Sequence, residues 1–323
     1  MTPSQPPLLN AHSSMGLTIS VAKALMLLIV IMTTTVYGTE VISIGNWGIT
    51  GDIGVYQLQF DRMQNFNNLY TQIDPGFYGL MLFYARFLDF PSFLITCYFL
   101  FYFSLITPMY KVSSSAILAI VVFAFCYLFP SYNSLTTLVL RQGLGFSVLF
   151  MLSFYFYTDR KLVSVFKVLA ASLFHASFLF YLPVLFVSWM IRQLSTLSIV
   201  WLVIAILYAA NIPLKLADLL PENIKLFYRV ANATETEFVL GFKPLFLLLS
   251  LMPMLCLLFR PYYEYAKKDN ILFNMFRVFT IANGIAMLFS GIPYYDRIML
   301  FSWVLVPLFA ASFVSFMLEK TRV

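Results

Sequence analysis

From Leu17 to Met317 the chain is a succession of apolar stretches separated by short segments that carry most of the charge. Inside a bilayer such stretches have no water to satisfy their backbone amides, so they must close their hydrogen bonds within helices or a sealed barrel. A hydrocarbon core about 30 Å thick takes roughly 20 helical residues. That length suits spans near Leu17–Tyr37, Pro91–Thr107, Ala116–Phe129, Leu135–Tyr157, Leu162–Phe174, Ser177–Met190, Leu197–Ala210, Pro244–Phe259, Ile271–Ser290 and Ile298–Met317. With 61% hydrophobic and 11% charged residues the chain is far from a soluble domain, in which about a quarter of residues are charged. The expectation is a single all-α polytopic membrane domain over 1–323 with about ten transmembrane helices. A further apolar stretch, Asp74 to Leu88, is short and is broken from the next span by Asp89-Phe90-Pro91. It reads as a re-entrant or interfacial helix.

An even number of crossings places both termini on one side. Lys111, Arg160, Lys161, Arg192, Arg260, Lys267, Lys268, Lys320 and Arg322 then fall on the cytoplasmic face, as the positive-inside rule requires. The net charge of +6 is explained in the same way, and no basic cluster suggests nucleic acid. The cytoplasmic loops lie near 158–162 and 260–270, and two longer outer loops, about 38–75 and 211–243, are expected to cover a site. No Lys or Arg precedes Lys23, so the basic start of a cleavable signal is missing and Leu17–Tyr37 reads as a retained span. Thr2 to Ser14 is expected to be disordered, Cys97, Cys126 and Cys256 to be packing residues, and Asn232-Ala233-Thr234 is a glycosylation sequon only in a host that modifies such loops.

Against this apolar background a few polar residues need a reason. Arg141 falls about two turns into the span beginning near Leu135, where a charged residue costs roughly 2.5–3.5 kcal/mol on insertion scales. It either snorkels or pairs with an acid such as Asp296, or it forks onto phosphate oxygens, with Gln142 beside it. His175, the one histidine outside the polar N-terminus, sits at an outer turn between two short spans. It is either a packing residue or a base able to take a proton from a sugar hydroxyl. The short outer loop carrying Tyr294, Tyr295, Asp296 and Arg297 is either an interfacial ion pair in an aromatic belt or a second anion site with rings for sugar stacking. Asp52 and Tyr56 stand one helical turn apart, as a helix cap or as a pair facing one cavity. Arg141, His175 and Asp296-Arg297 are expected to face the same compartment. No Asp-x-Asp, His cluster or paired Cys is present, so a metal-independent reaction without cofactor is expected.

Taken in order, Asp52/Tyr56, Asp74-Pro75-Gly76-Phe77, Arg141-Gln142-Gly143-Leu144, Phe174-His175-Ala176-Ser177 and Tyr294-Tyr295-Asp296-Arg297 resemble the motifs of the EpsG and Wzy-like polysaccharide polymerases. The resemblance implies a GT-C-like membrane glycosyltransferase of the bacterial cytoplasmic membrane. Such an enzyme joins polyprenyl-pyrophosphate-linked oligosaccharide repeats, which serve as donor and acceptor, into O-antigen or exopolysaccharide at the outer face of the bilayer. A chain-length regulator is a possible partner. It implies His175, Asp296 and Asp52 as candidate catalytic groups, and Arg141, Gln142, Arg297, Tyr294, Tyr295 and Tyr56 as substrate ligands. An O-antigen ligase shares the donor class, a transporter of lipid-linked sugars would lack the chemistry, and a membrane acyltransferase would use cytoplasmic donors.

Overall fold

The computed structural model describes residues 9–45, 51–66, 74–113, 115–219, 240–292 and 294–321, and among these the secondary structure is entirely helical. The sequon at Asn232 lies outside them. Contacts divide the chain into two compact units, one of residues 1–152, 170–176 and 317–323, the other of residues 153–169 and 177–316.

The first unit contains α1 (Leu9–Ile44), α2 (Gly51–Phe66), α3 (Pro75–Phe87), α4 (Phe90–Val112), α5 (Ala116–Cys126), α6 (Pro130–Thr137) and α7 (Leu140–Met151). α1 begins at Leu9, inside the stretch expected to be disordered, and α2 occupies part of the expected outer loop. α3 is the short helix foreseen after Asp74. It ends at Leu88, and Asp89 starts α4 by accepting the Ser92 amide at 2.9 Å. α4 packs against α1 and α7. Phe60, Phe77 and Phe93 join Leu140 and Leu144 in one core cluster beneath the N-terminus of α3.

The expected continuous helix from Leu135 to Tyr157 is instead broken at Leu138-Val139 and again after Met151. Arg141 is therefore the second residue of α7 and not a mid-span residue. Gly143 explains the first break: a Cβ there would stand 2.1 Å from the Leu135 carbonyl oxygen, so only glycine lets α7 fold back onto α6. Gly143→Ala should lower stability by about 1–3 kcal/mol, the usual cost of overpacking against backbone, as a reduced unfolding temperature in detergent would register.

The second unit contains α8 (Lys161–Ser172) up to Leu169, then α9 (Tyr181–Met190), α10 (Leu194–Ala209), α11 (Ile212–Asp218), α12 (Pro244–Leu258), α13 (Arg260–Lys268), α14 (Asn270–Leu288), α15 (Tyr295–Trp303) and the start of α16 (Val306–Lys320). α14 is central and packs against α9, α10, α13 and α15. Apolar side chains gain little from leaving lipid for protein, so polar bonds and close packing must hold these helices together. Asn283 of α14 supplies three: its oxygen accepts Trp201 Nε1 at 2.8 Å, and its amide donates to Ser250 Oγ at 2.8 Å and Ser302 Oγ at 2.9 Å.

Four helical stretches, Val21–Ile44, Phe90–Val112, Asn270–Leu288 and Tyr295–Lys320, are long and apolar enough to cross a bilayer. Two bent pairs, α5 with α6 and α12 with α13, raise the number to six if each is one span. The other stretches read as spans form shorter helices, because breaks such as Leu138-Val139 divide them. The protein is thus an all-helical membrane protein with four to six candidate spans among the described residues.

Candidate functional site

Asp74 occupies the N-cap position of α3, where an aspartate commonly accepts the amides of the first turn. It makes no such bond. Pro75 supplies the first turn without a donor, and Gly76 donates its amide to the Leu173 carbonyl at 2.7 Å. A Cβ on Gly76 would stand 3.0 Å from that same oxygen, so glycine permits the close approach that brings the 173–176 turn to α3.

Freed from capping, the carboxylate faces inward and is only 2% exposed. Oδ1 accepts the Ala176 amide at 2.7 Å, while Oδ2 accepts from an Arg141 guanidinium nitrogen at 2.8 Å and lies 3.5 Å from His175 Nδ1. Arg141 also donates through Nε to Tyr56 Oη at 3.3 Å, with its guanidinium 5.7 Å from the Tyr56 ring centroid. Residues from α2, α3, α7 and the 173–176 turn thus meet at one buried anion. The side chains it holds are partly open, 29% exposed for Arg141 and 22% for His175. A partly open cation and imidazole held by a buried acid can receive an anion and exchange a proton.

Burial pushes the Asp74 carboxyl up, but His175, the Ala176 amide and Arg141 together outweigh it and hold the group below its ordinary value of 3.8. A carboxyl depressed on folding adds stability that is complete above its unfolded value and lost as pH falls through its folded one. Asp74 should therefore keep its stabilising role from neutrality down to about pH 4 and lose it only in stronger acid. Thermal unfolding of the protein and of Asp74→Asn across that range checks this: their difference should stay level to about pH 4 and shrink below it.

The structure brings Arg141, His175 and Tyr56 together. Asp52 lies one turn before Tyr56 on α2, half-buried, and Gln142 is buried next to Arg141. Asp296, Arg297, Tyr294 and Tyr295 belong to the second unit. There Tyr294 adopts φ 64° ahead of α15, with the Arg297 guanidinium 4.7 Å from its ring centroid. Asp296 is exposed. Tyr295 is 1% exposed and donates to the Gly241 carbonyl at 2.6 Å, which leaves no open ring face.

Two residues received no functional role in the reading of the sequence, although Asp74 stood in one of its motifs. Asp74 is the hub of the site, and the signal was the Asp-Pro-Gly start of α3. Arg277 is a buried arginine in α14, bonded to Asp159 Oδ1 at 3.1 Å, Asn274 Oδ1 at 3.2 Å and the Ser188 carbonyl. Among the described residues no three His, Cys, Asp or Glu side chains gather where they could hold a metal ion.

No curated protein and no solved structure matches this chain. A family model does, over residues 24–322, which includes every residue of the Asp74 cluster. The chain belongs to the EpsG family.

Proposed function

We propose that this protein is a membrane polysaccharide polymerase that extends a glycan carried on polyprenyl pyrophosphate, with Asp74, Arg141 and His175 as its reacting centre. The observation that carries the reading is the pairing of one buried carboxylate with a partly open arginine at 2.8 Å and a partly open histidine at 3.5 Å. All three stand in the segments that resemble the family's motifs.

His175 Nδ1 lies 3.5 Å from the Asp74 carboxylate without a hydrogen bond between them; in the proposed reaction the ring turns Nδ1–H onto that carboxylate and presents Nε2 to the substrate as the basic nitrogen. A hydroxyl of the acceptor sugar attacks the anomeric carbon of the donor. Its proton passes to Nε2, the new glycosidic bond forms, and the bond to pyrophosphate breaks. Negative charge grows on the departing phosphate as positive charge grows on the imidazole. Arg141 stabilises the first and the buried Asp74 carboxylate the second. The N–H groups of the guanidinium fork not engaged by Asp74 and Tyr56 are proposed to meet oxygens of the departing phosphate.

Tyr56 positions Arg141. Gln142 lies too deep to meet substrate except by moving. Asp52 is proposed as a reserve base; within the second unit, Arg297 and Tyr294 are proposed by themselves as ligands for a phosphate and a sugar ring, Asp296 as a base beside them, and Tyr295 as a support for the Gly241 backbone. The site is proposed to face outward from the cytoplasmic membrane. Ten crossings would require α7 to α10 to cross as short or broken helices, an arrangement tolerated where protein satisfies the backbone. Reporter fusions at Arg160 and Tyr294 test the sidedness.

The functional test is polymerisation in liposomes by purified protein, supplied with a defined polyprenyl-pyrophosphate repeat unit and a chelator. A ladder spaced by one repeat is expected. A single transfer to a lipid acceptor would make the protein a ligase, and no product from folded protein would overturn the enzymatic reading.

A further inference from the structure

α13 turns 88° away from α12 at Phe259, with Pro261 in its first turn removing an amide donor where the chain bends. We read α12 as standing in the bilayer, so that α13, at right angles to it, runs along the surface with its charges among headgroups. The spacing of Arg260, Tyr263, Glu264 and Lys267 puts all four on one face of α13. Tyr262 and Ala266 are buried on the opposite side.

Tyr263 lines one end of a groove of about 340 Å³ between α10 and α12. Ser195 and Ser198 of the first α10 turns line it too, whereas Ile199, Leu202, Leu251 and Leu255 supply an apolar run. Ile199, Leu202 and Leu255 are more than half exposed, so protein does not cover this wall. The groove is therefore graded from hydroxyls beside α13 to hydrocarbon further along. Arg260 and Lys267, both exposed, stand about one turn either side of Tyr263 on the same face of α13, with Glu264 between them and Asp269 at the end of the helix, where its carboxylate caps α14.

We propose that this groove binds one anionic phospholipid, an acyl chain lying along Ile199, Leu202 and Leu255, with the headgroup phosphate held by Arg260 and Lys267. Charge complementarity selects the occupant: a zwitterionic lipid offers the same chain but a weaker anion, and a basic recess between helices is a known form of site for acidic headgroups. The site is distinct from the Asp74 cluster, which lies in the other unit, and does not depend on the polymerase reading.

Native mass spectrometry of the full chain released from nanodiscs of equimolar phosphatidylglycerol and phosphatidylcholine tests it. At about fivefold per cation near the surface, the protein should retain one phosphatidylglycerol over phosphatidylcholine by about 25-fold. Arg260→Gln with Lys267→Gln should erase that preference while still retaining lipid, and Ile199→Trp, which fills the groove at an exposed position, should lose both lipids. Lys23→Gln, a charge removed in the other unit, should leave the preference intact. Equal retention of the two lipids by the unaltered protein, or a preference that survives the double substitution, would overturn the proposal. These two comparisons decide the matter even if Ile199→Trp fails to fold.

Discussion

Asp74→Asn should slow chain extension by about 10³–10⁴-fold, the scale seen when a buried acid that orients a catalytic histidine is made neutral. An asparagine fills the same space and can still accept the Ala176 amide. It cannot place a negative charge between Arg141 and His175, which stand 2.8 and 3.5 Å from one carboxylate oxygen. Its amide nitrogen is a donor and would face the imidazole with the wrong polarity, favouring the tautomer that turns a protonated Nε2 to the substrate. The imidazolium that forms during attack would also lose its counter-charge. The rate should fall through kcat more than through KM, since the acid acts on charge that develops in the reaction. Removing the partner of a half-buried arginine should destabilise the fold by about 1–3 kcal/mol, so the loss of rate must be measured where the variant remains folded.

Arg141→Lys should reduce polymerisation by about 10²–10³-fold, the cost of removing one donor from a site that stabilises developing anionic charge. One guanidinium nitrogen meets Asp74 and Nε meets Tyr56 Oη at 3.3 Å, which leaves N–H groups of the fork for phosphate. A lysine ammonium is a compact charge on a flexible stem. It can satisfy Asp74 or reach a phosphate, but it cannot hold the planar geometry that serves both. Asp74 keeps a cationic partner, so the protein should unfold within a few degrees of the unaltered chain. Ladder formation at saturating substrate and a thermal melt check the two halves of this expectation. Unchanged polymer length would remove Arg141 from the site.

The residues legible in the sequence were those that stand out chemically from their surroundings. An arginine and a lone histidine in apolar stretches point to themselves, and Tyr56 entered by its spacing from Asp52. Asp74 entered only as part of the Asp74-Pro75-Gly76-Phe77 motif and was given no role, because an aspartate before Pro-Gly is an ordinary helix start. Its role depends on Gly76 approaching Leu173, nearly a hundred residues away, and on a carboxylate that declines to cap its own helix. Arg277 was hidden because its partners, Asp159 and the Ser188 carbonyl, come from distant segments. The helix breaks follow the same logic. Nothing in the local composition of Leu135 to Tyr157 interrupts a helix, and the break before α7 is set by Gly143 meeting the Leu135 carbonyl. Hydropathy therefore gave the class of structure and the positions of apolar stretches, but not where tertiary packing cuts them.

The most direct measurement is a double-mutant cycle on the rate of ladder formation in liposomes, using Asp74→Asn, His175→Ala and the two together. If Asp74 works by holding His175, its substitution should cost far less in the His175→Ala background than in the unaltered protein, because the partner it orients is already gone. Losses that multiply, with Asp74→Asn costing the same factor in both backgrounds, would show that the two residues act independently and would contradict a site organised around Asp74.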